Sequence, residues 1–129
     1  MKKINYKDAV KEALMEEMDK DERVFVIGED VGVYGGSFKV TLGLLEKYGS
    51  KKIIDTPISE NAIIGTAIGA AMYGMRPVAE ISFIDFITLA MDQIVNEAAK
   101  IMAFSPGLYK IPLVIRTQCG TGRGIGGHH

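Results

Sequence analysis

The sequence predicts an α/β fold: a three-layer domain with a mainly parallel sheet and helices on both faces. One observation is the order of patterns, in which helical periodicity and short apolar runs alternate four times along the chain. A second is the character of the runs. Val24-Phe25-Val26-Ile27, Ile53-Ile54 and Leu113-Val114-Ile115 are continuously apolar, as strands covered on both faces must be. The third is length: 129 residues make one domain, large enough to bury a core, and no repeat or linker divides them.

The elements follow in order. Asn5 caps a first helix, with Asp8 three residues on; Val10, Ala13, Leu14 and Met18 form its inner face to about Met18. The strand Val24 to Ile27 ends in Gly28-Glu29-Asp30, acids at a carboxyl end where α/β sheets gather functional groups. A solvated loop is the plainer reading of Glu29 and Asp30. Gly32 to Gly36 reads as a flexible loop. Val40 to Tyr48 is a short helix with Leu44, Leu45 and Tyr48 inward, closed by Gly49. Ile53-Ile54 ends a buried strand, and Thr56-Pro57 turns the chain. Ser59 is an N-cap candidate, which puts Glu60 in the first turn of a helix otherwise almost free of charge through Met72. Gly74 to Pro77 breaks that helix, and Val78 to Ser82 returns as a strand. One long helix is predicted from about Phe86 to Met102, striped by Ile87, Ala90, Met91, Ile94, Ala98, Ile101 and Met102. Ser105-Pro106-Gly107 stops it, and Leu113 to Ile115 is the last strand.

Composition excludes several classes. A net charge of −1, with Lys2-Lys3 and Lys51-Lys52 as isolated pairs, offers no basic stripe for nucleic acid. The single cysteine, Cys119, forbids an internal disulfide and suits a reducing compartment. The longest apolar stretch, Ala62 to Met75, is shorter than the ~20 residues a membrane span needs. With no signal peptide pattern at Met1-Lys2-Lys3, the expectation is a cytoplasmic protein without a membrane partner. Gly122, Gly124 and Gly127 spell GxGxxG after a strand, but no helix follows, so a dinucleotide site is discounted. Cys119 lies near Arg116 and Arg123, which could lower its pKa; an inert loop thiol is the simpler reading. Phe83 and Phe86 flank Asp85, either as helix-start packing or as a stacking surface. Glu60 has two readings as well. It complements the helix dipole, worth a few tenths to ~1 kcal/mol, or it is a carboxylate at a buried boundary that shares a proton with a ligand.

A collinear series of segments narrows this. Gly28-Glu29-Asp30-Val31, Tyr48-Gly49, Ile54 through Glu60, Gly65 through Ala71, Arg76-Pro77, Asp92 through Lys100 and Gly127-His128-His129 closely resemble one family. It is the beta chain of the thiamine diphosphate-dependent decarboxylating component of 2-oxo acid dehydrogenase complexes. The likeness covers residues 1–129 and implies the pyrimidine-binding domain alone, without the family's C-terminal beta-chain domain. It implies a pyruvate-type enzyme subunit, with acetoin or branched-chain 2-oxo acids, or a non-catalytic assembly module, as alternatives. By that likeness Glu60 bonds a ring nitrogen of the aminopyrimidine and favours the proton removal that activates the cofactor. Ile58, Ser82 and Phe86 line the pyrimidine pocket, and His129 stands beside the reacting carbon, while His128 matches a variable position. The main chain at Leu113 matches part of a structural potassium site. Diphosphate and magnesium are expected on an alpha chain, in an alpha2beta2 assembly that passes the acyl group to a lipoyl acyltransferase core. The 129-residue chain alone is expected to be inactive, its Glu60 open to water.

Overall fold

A computed structural model of the chain describes residues 3–120. Helix α1, Tyr6–Lys20, starts as its sequence requires: Asn5 is extended and its side chain accepts the Asp8 N–H at 2.9 Å. Leu14 and Met18 bury the inner face, whereas Ala13 is exposed. Strand β1, Val24–Gly28, is buried throughout. Helix α2 is confined to Leu44–Tyr48 and ends at Gly49, whose positive φ of 77° is one that glycine adopts without strain. Strand β2 (Ile53–Asp55), helix α3 (Glu60–Met72) and strand β3 (Arg76–Glu80) follow, and strand β4, Val114–Arg116, closes the order.

The sheet is parallel with strand order β2-β1-β3-β4. Its register explains the layers. Val24 and Val26 turn to one side with Ile53 and Val78, under Leu14 and Met18 of α1 and Leu44 of α2. Phe25, Ile27 and Ala79 turn to the other, under Ile63, Ile64, Ala67 and Ile68 of α3. Both faces of the central strand β1 are covered, which is why it reads as an apolar run; the edge strand β4, expected to be buried, is not, and its Val114 is 54% exposed. At the carboxyl end one register row reads Asp55, Gly28, Glu80, Arg116. Gly28 is required there, because a Cβ would stand 2.7 Å from the Glu80 carbonyl oxygen.

The single helix expected from Phe86 to Met102 does not form. A 3₁₀ segment, Ile84–Ala90, passes into a π-helical one, Gln93–Ala98, and a short α4, Ile101–Phe104. Part of the predicted stripe holds, since Ala90, Ile94 and Ala98 pack on the α3-side core, whereas Met91 and Met102 are exposed. Periodicity reports which residues face inward, but the winding is set by the surface they must meet, and π turns often mark functional sites. Where Gly65 of α3 approaches, a Cβ would lie 3.2 Å from Oε1 of Gln93, at the start of the π segment. Among the described residues no helix is long and apolar enough to cross a membrane.

Candidate functional site

The carboxyl ends of β1 and β2 lie side by side, so the loops leaving them meet at the start of α3. Glu60 is the first residue of that helix and is only 6% exposed. The chain itself therefore buries this carboxyl, contrary to the expectation that it stands open to water until a partner arrives. Ser59 does not cap through its side chain; its backbone, at φ −167° and ψ 82°, holds the turn. The Ser59 N–H is directed to the Glu29 carboxyl instead.

Glu29 is the residue that the plain loop reading missed. It is half-buried, and its Oε1 is wholly covered without a hydrogen-bond partner among the described residues. Burial pushes its pKa above the usual glutamate value, and the neighbouring Glu60 charge adds to the shift. Asp30, next to it, is exposed as expected, with its backbone in the left-handed region at φ 54°. The available signal was the carboxylate immediately after a buried strand; what it could not reveal was that α3 starts beside it. The Gly32 to Gly36 loop is also not loose. The Gly32 N–H donates to Asp55 Oδ1 at 2.6 Å, and the Gly36 N–H to the Asp30 carbonyl at 2.7 Å.

Ser82 follows β3 at the same end of the sheet and is half-buried. Phe86 joins the α3-side core and meets Phe83 edge to face at 5.6 Å, and Phe83 meets Phe38 at 5.5 Å. That row is the helix-start packing reading of the two phenylalanines, with one edge of it near the loops. Ile58 is 83% exposed on the turn before Glu60. Leu113 is not part of this group. It precedes β4 at the opposite end of the sheet, beside a cavity of about 320 Å³ also lined by Arg76, Pro77 and Val78. His128, His129, Arg123 and the GxGxxG glycines lie outside the described residues. Arg116, invoked for Cys119, instead forms an ion pair with buried Glu80, and Cys119 is exposed.

The arrangement is a pair of carboxyl groups, one buried and one partly so, at the mouth between two parallel strands. Such a pair can hold a proton and offer it to a polar ligand.

Comparison with known proteins identifies the family. Residues 2–129 match the family described as "Transketolase, pyrimidine binding domain". A "2-oxoisovalerate dehydrogenase subunit beta" of Bacillus subtilis (strain 168) is 52% identical over 95% of this chain and 37% of its own length. "Pyruvate dehydrogenase E1 component subunit beta" of Staurastrum punctulatum is 52% identical over the same shares. The mitochondrial "Pyruvate dehydrogenase E1 component subunit beta" of Homo sapiens is 44% identical over 98% of this chain and 35% of its own length. The chain thus spans just over a third of the length of these three relatives. By a family match that runs from residue 2 to residue 129, over a parallel sheet flanked by helices, the chain belongs to the transketolase pyrimidine-binding domain family.

Proposed function

We propose that residues 1–129 act as the pyrimidine-binding domain of a beta chain in the decarboxylating component of a 2-oxo acid dehydrogenase, with Glu60 as its catalytic carboxyl. The observation that carries the reading is that Glu60 is buried at the first turn of an uncharged helix, beside Glu29. The residues fit an aminopyrimidine: a shielded carboxyl for a ring nitrogen, the Ser82 hydroxyl at the end of β3, and the Phe86 ring on the α3 side. Ile58, being exposed, closes over a ring only when a second surface meets it. When bound, thiamine diphosphate supplies the carbanion on which decarboxylation depends. The task of Glu60 is to share a proton with the ring nitrogen while water is kept out. Burial and the neighbouring Glu60 charge raise the pKa of Glu29, so it holds a proton more tightly than an exposed glutamate does. His129, which lies outside the described residues, is assigned to the reacting carbon by family likeness alone.

The diphosphate and magnesium belong on a partner alpha chain in this reading, in an alpha2beta2 assembly that serves a lipoyl acyltransferase core. A potassium ion at the Leu113 main chain would be structural, since Leu113 is at the far end of the sheet. Pyruvate is the substrate this reading puts to the test first. Relatives named for pyruvate and for 2-oxoisovalerate are equally similar, so a 2-oxo acid screen of the assembled protein decides the substrate.

The decisive test is Glu60→Gln in a full-length beta chain assembled with its alpha chain. Decarboxylation should fall by about 100-fold or more while assembly is retained. Near-normal turnover would reduce Glu60 to a helix-dipole residue. Calorimetry of the partner-free chain with thiamine diphosphate and magnesium should show weak binding or none; micromolar affinity would contradict a shared site.

A further inference from the structure

The loops that carry Glu29 and Glu60 are tied together across the ends of β1 and β2. The Thr56 N–H donates to the Gly28 carbonyl at 3.0 Å, and the Ser59 N–H is directed to the Glu29 carboxyl. The remaining tie comes from a side chain: Asp55 Oδ1 accepts the Gly32 N–H at 2.6 Å, across 23 positions of sequence. Gly32 fits this contact because it lacks a side chain. A Cβ there would stand 2.9 Å from the Asp55 Cγ and closer still to Oδ2. Between Glu29 and Gly32 the chain passes through Asp30, whose φ of 54° is a strained choice for a residue other than glycine. Strain of that kind persists only where both sides are held. On one side Glu29 meets the start of α3; on the other Gly32 is held by Asp55.

We propose that Asp55 is a positioning residue, whose carboxylate holds the 29–32 turn by the Gly32 N–H and so sets Glu29 beside Glu60. The inference rests on the paired-carboxyl reading of the site, and it gives Asp55 a task that brings it into no contact with the ligand. The charged groups that act on Glu29 are Glu60 and Asp30, and the Ser59 N–H opposes them. The Gly36 N–H on the Asp30 carbonyl and the Thr41 hydroxyl on the Val31 carbonyl keep the middle of the turn in place, so losing the Asp55 tie loosens its Gly32 end and lets Glu29 shift toward water and away from Glu60.

The test is a ¹³C carboxyl titration of Glu29 and Glu60 in the full-length chain, with melting curves as the control. In Asp55→Ala the Glu29 midpoint should move down toward the ordinary glutamate value. Asp55→Asn keeps a carbonyl oxygen for Gly32 and should leave the midpoint in place. Gly32→Ala attacks the same tie from the other side and should reproduce the Asp55→Ala shift. In the Asp55→Ala background it should add nothing, since the group it collides with is gone. A merely structural Asp55 would lower the melting temperature in the alanine variants while Glu29 titrated as before, and that result overturns the proposal. If Glu29 already titrates as an ordinary glutamate in the parent chain, the paired-carboxyl reading fails and the positioning role falls with it. If the parent midpoint is raised and neither alanine variant moves it, only the role of Asp55 falls.

Discussion

The two layers that sandwich the sheet are finished differently. On the α1 side the outward surface is charged and internally paired: Lys20 with Glu16 and Glu17, Lys47 with Asp19, and Arg23 and Arg76 with Asp21. Such exposed pairs add little stability, but they make a surface content to face water. On the α3 side, the outer face of the helix offers Asn61, Ala62, Thr66 and Tyr73 without a charge. Beyond it the 84–108 region exposes Leu89, Met91, Val95, Met102, Phe104 and Leu108. The sheet needs both layers for its core, so the core alone does not explain the contrast. Exposed apolar residues concentrated in one region are what a contact surface presents. The lesson is that one layer is finished for water, while the other has the apolar surface that the proposed assembly would cover.

The largest expected effect tests whether the cores beneath the two layers are equally closed. Leu44→Ala under the α1 layer and Ile64→Ala under α3 remove fully buried side chains, and each should cost roughly 2–5 kcal/mol in denaturant unfolding. A cheap loss at Ile64 would mean that the α3 layer packs loosely until a partner arrives, and would change the comparison.

Next is the contact surface itself. Val95→Asp should weaken assembly with the alpha chain or a second beta chain by roughly tenfold or more, whereas Glu16→Ala on the α1 layer should leave assembly unchanged. Hydrogen exchange over residues 86–102 should slow only on assembly. Equal protection in a proven monomer would remove the interface reading of the 84–108 region.

The layers' ends should also differ in their response to pH. The Glu29 pKa is raised, so the folded chain holds that proton more tightly than the unfolded one. Its stabilising contribution is complete below the ordinary value of 4.5 and is lost as pH rises through the folded value. Asp21 behaves oppositely. Hydrogen bonds from the Arg23 side chain and backbone lower its pKa, so its contribution is present above the ordinary 3.8 and is lost as pH falls. Glu29→Gln should therefore flatten the stability profile on the neutral side, and Asp21→Asn on the acid side. Melting curves across pH would expose a reversed sign.

The smallest effect is at Gly69. A Cβ there would meet nothing within 4 Å, so Gly69→Ala should stabilise the isolated chain by about 0.5–1 kcal/mol through helix propensity. If the uncharged face of α3 is a contact surface, the same change should weaken assembly. A variant more stable and equally well assembled would confine the contact to the 84–108 region.

Much of this was determined by the sequence itself. The continuous apolar run of β1 required a strand covered on both faces, Asn5 with Asp8 began α1, and Gly49 ended α2, because each depends on a residue's own chemistry and its near neighbours. The isolation of Glu60 in an uncharged stretch could also be read directly. Tertiary structure decided the rest. The stripe after Phe86 had helical spacing, yet it wound as 3₁₀ and π because it had to follow the surface of α3. Glu29 looked like a loop acid, and only the parallel pairing of β1 with β2 brought it beside Glu60 and covered one of its oxygens. Gly32 to Gly36 looked flexible until Asp55, 23 residues on, supplied an acceptor. Local chemistry chooses an element's ends and its inner face; burial and pairing of groups distant in sequence exist only once the sheet has brought them together.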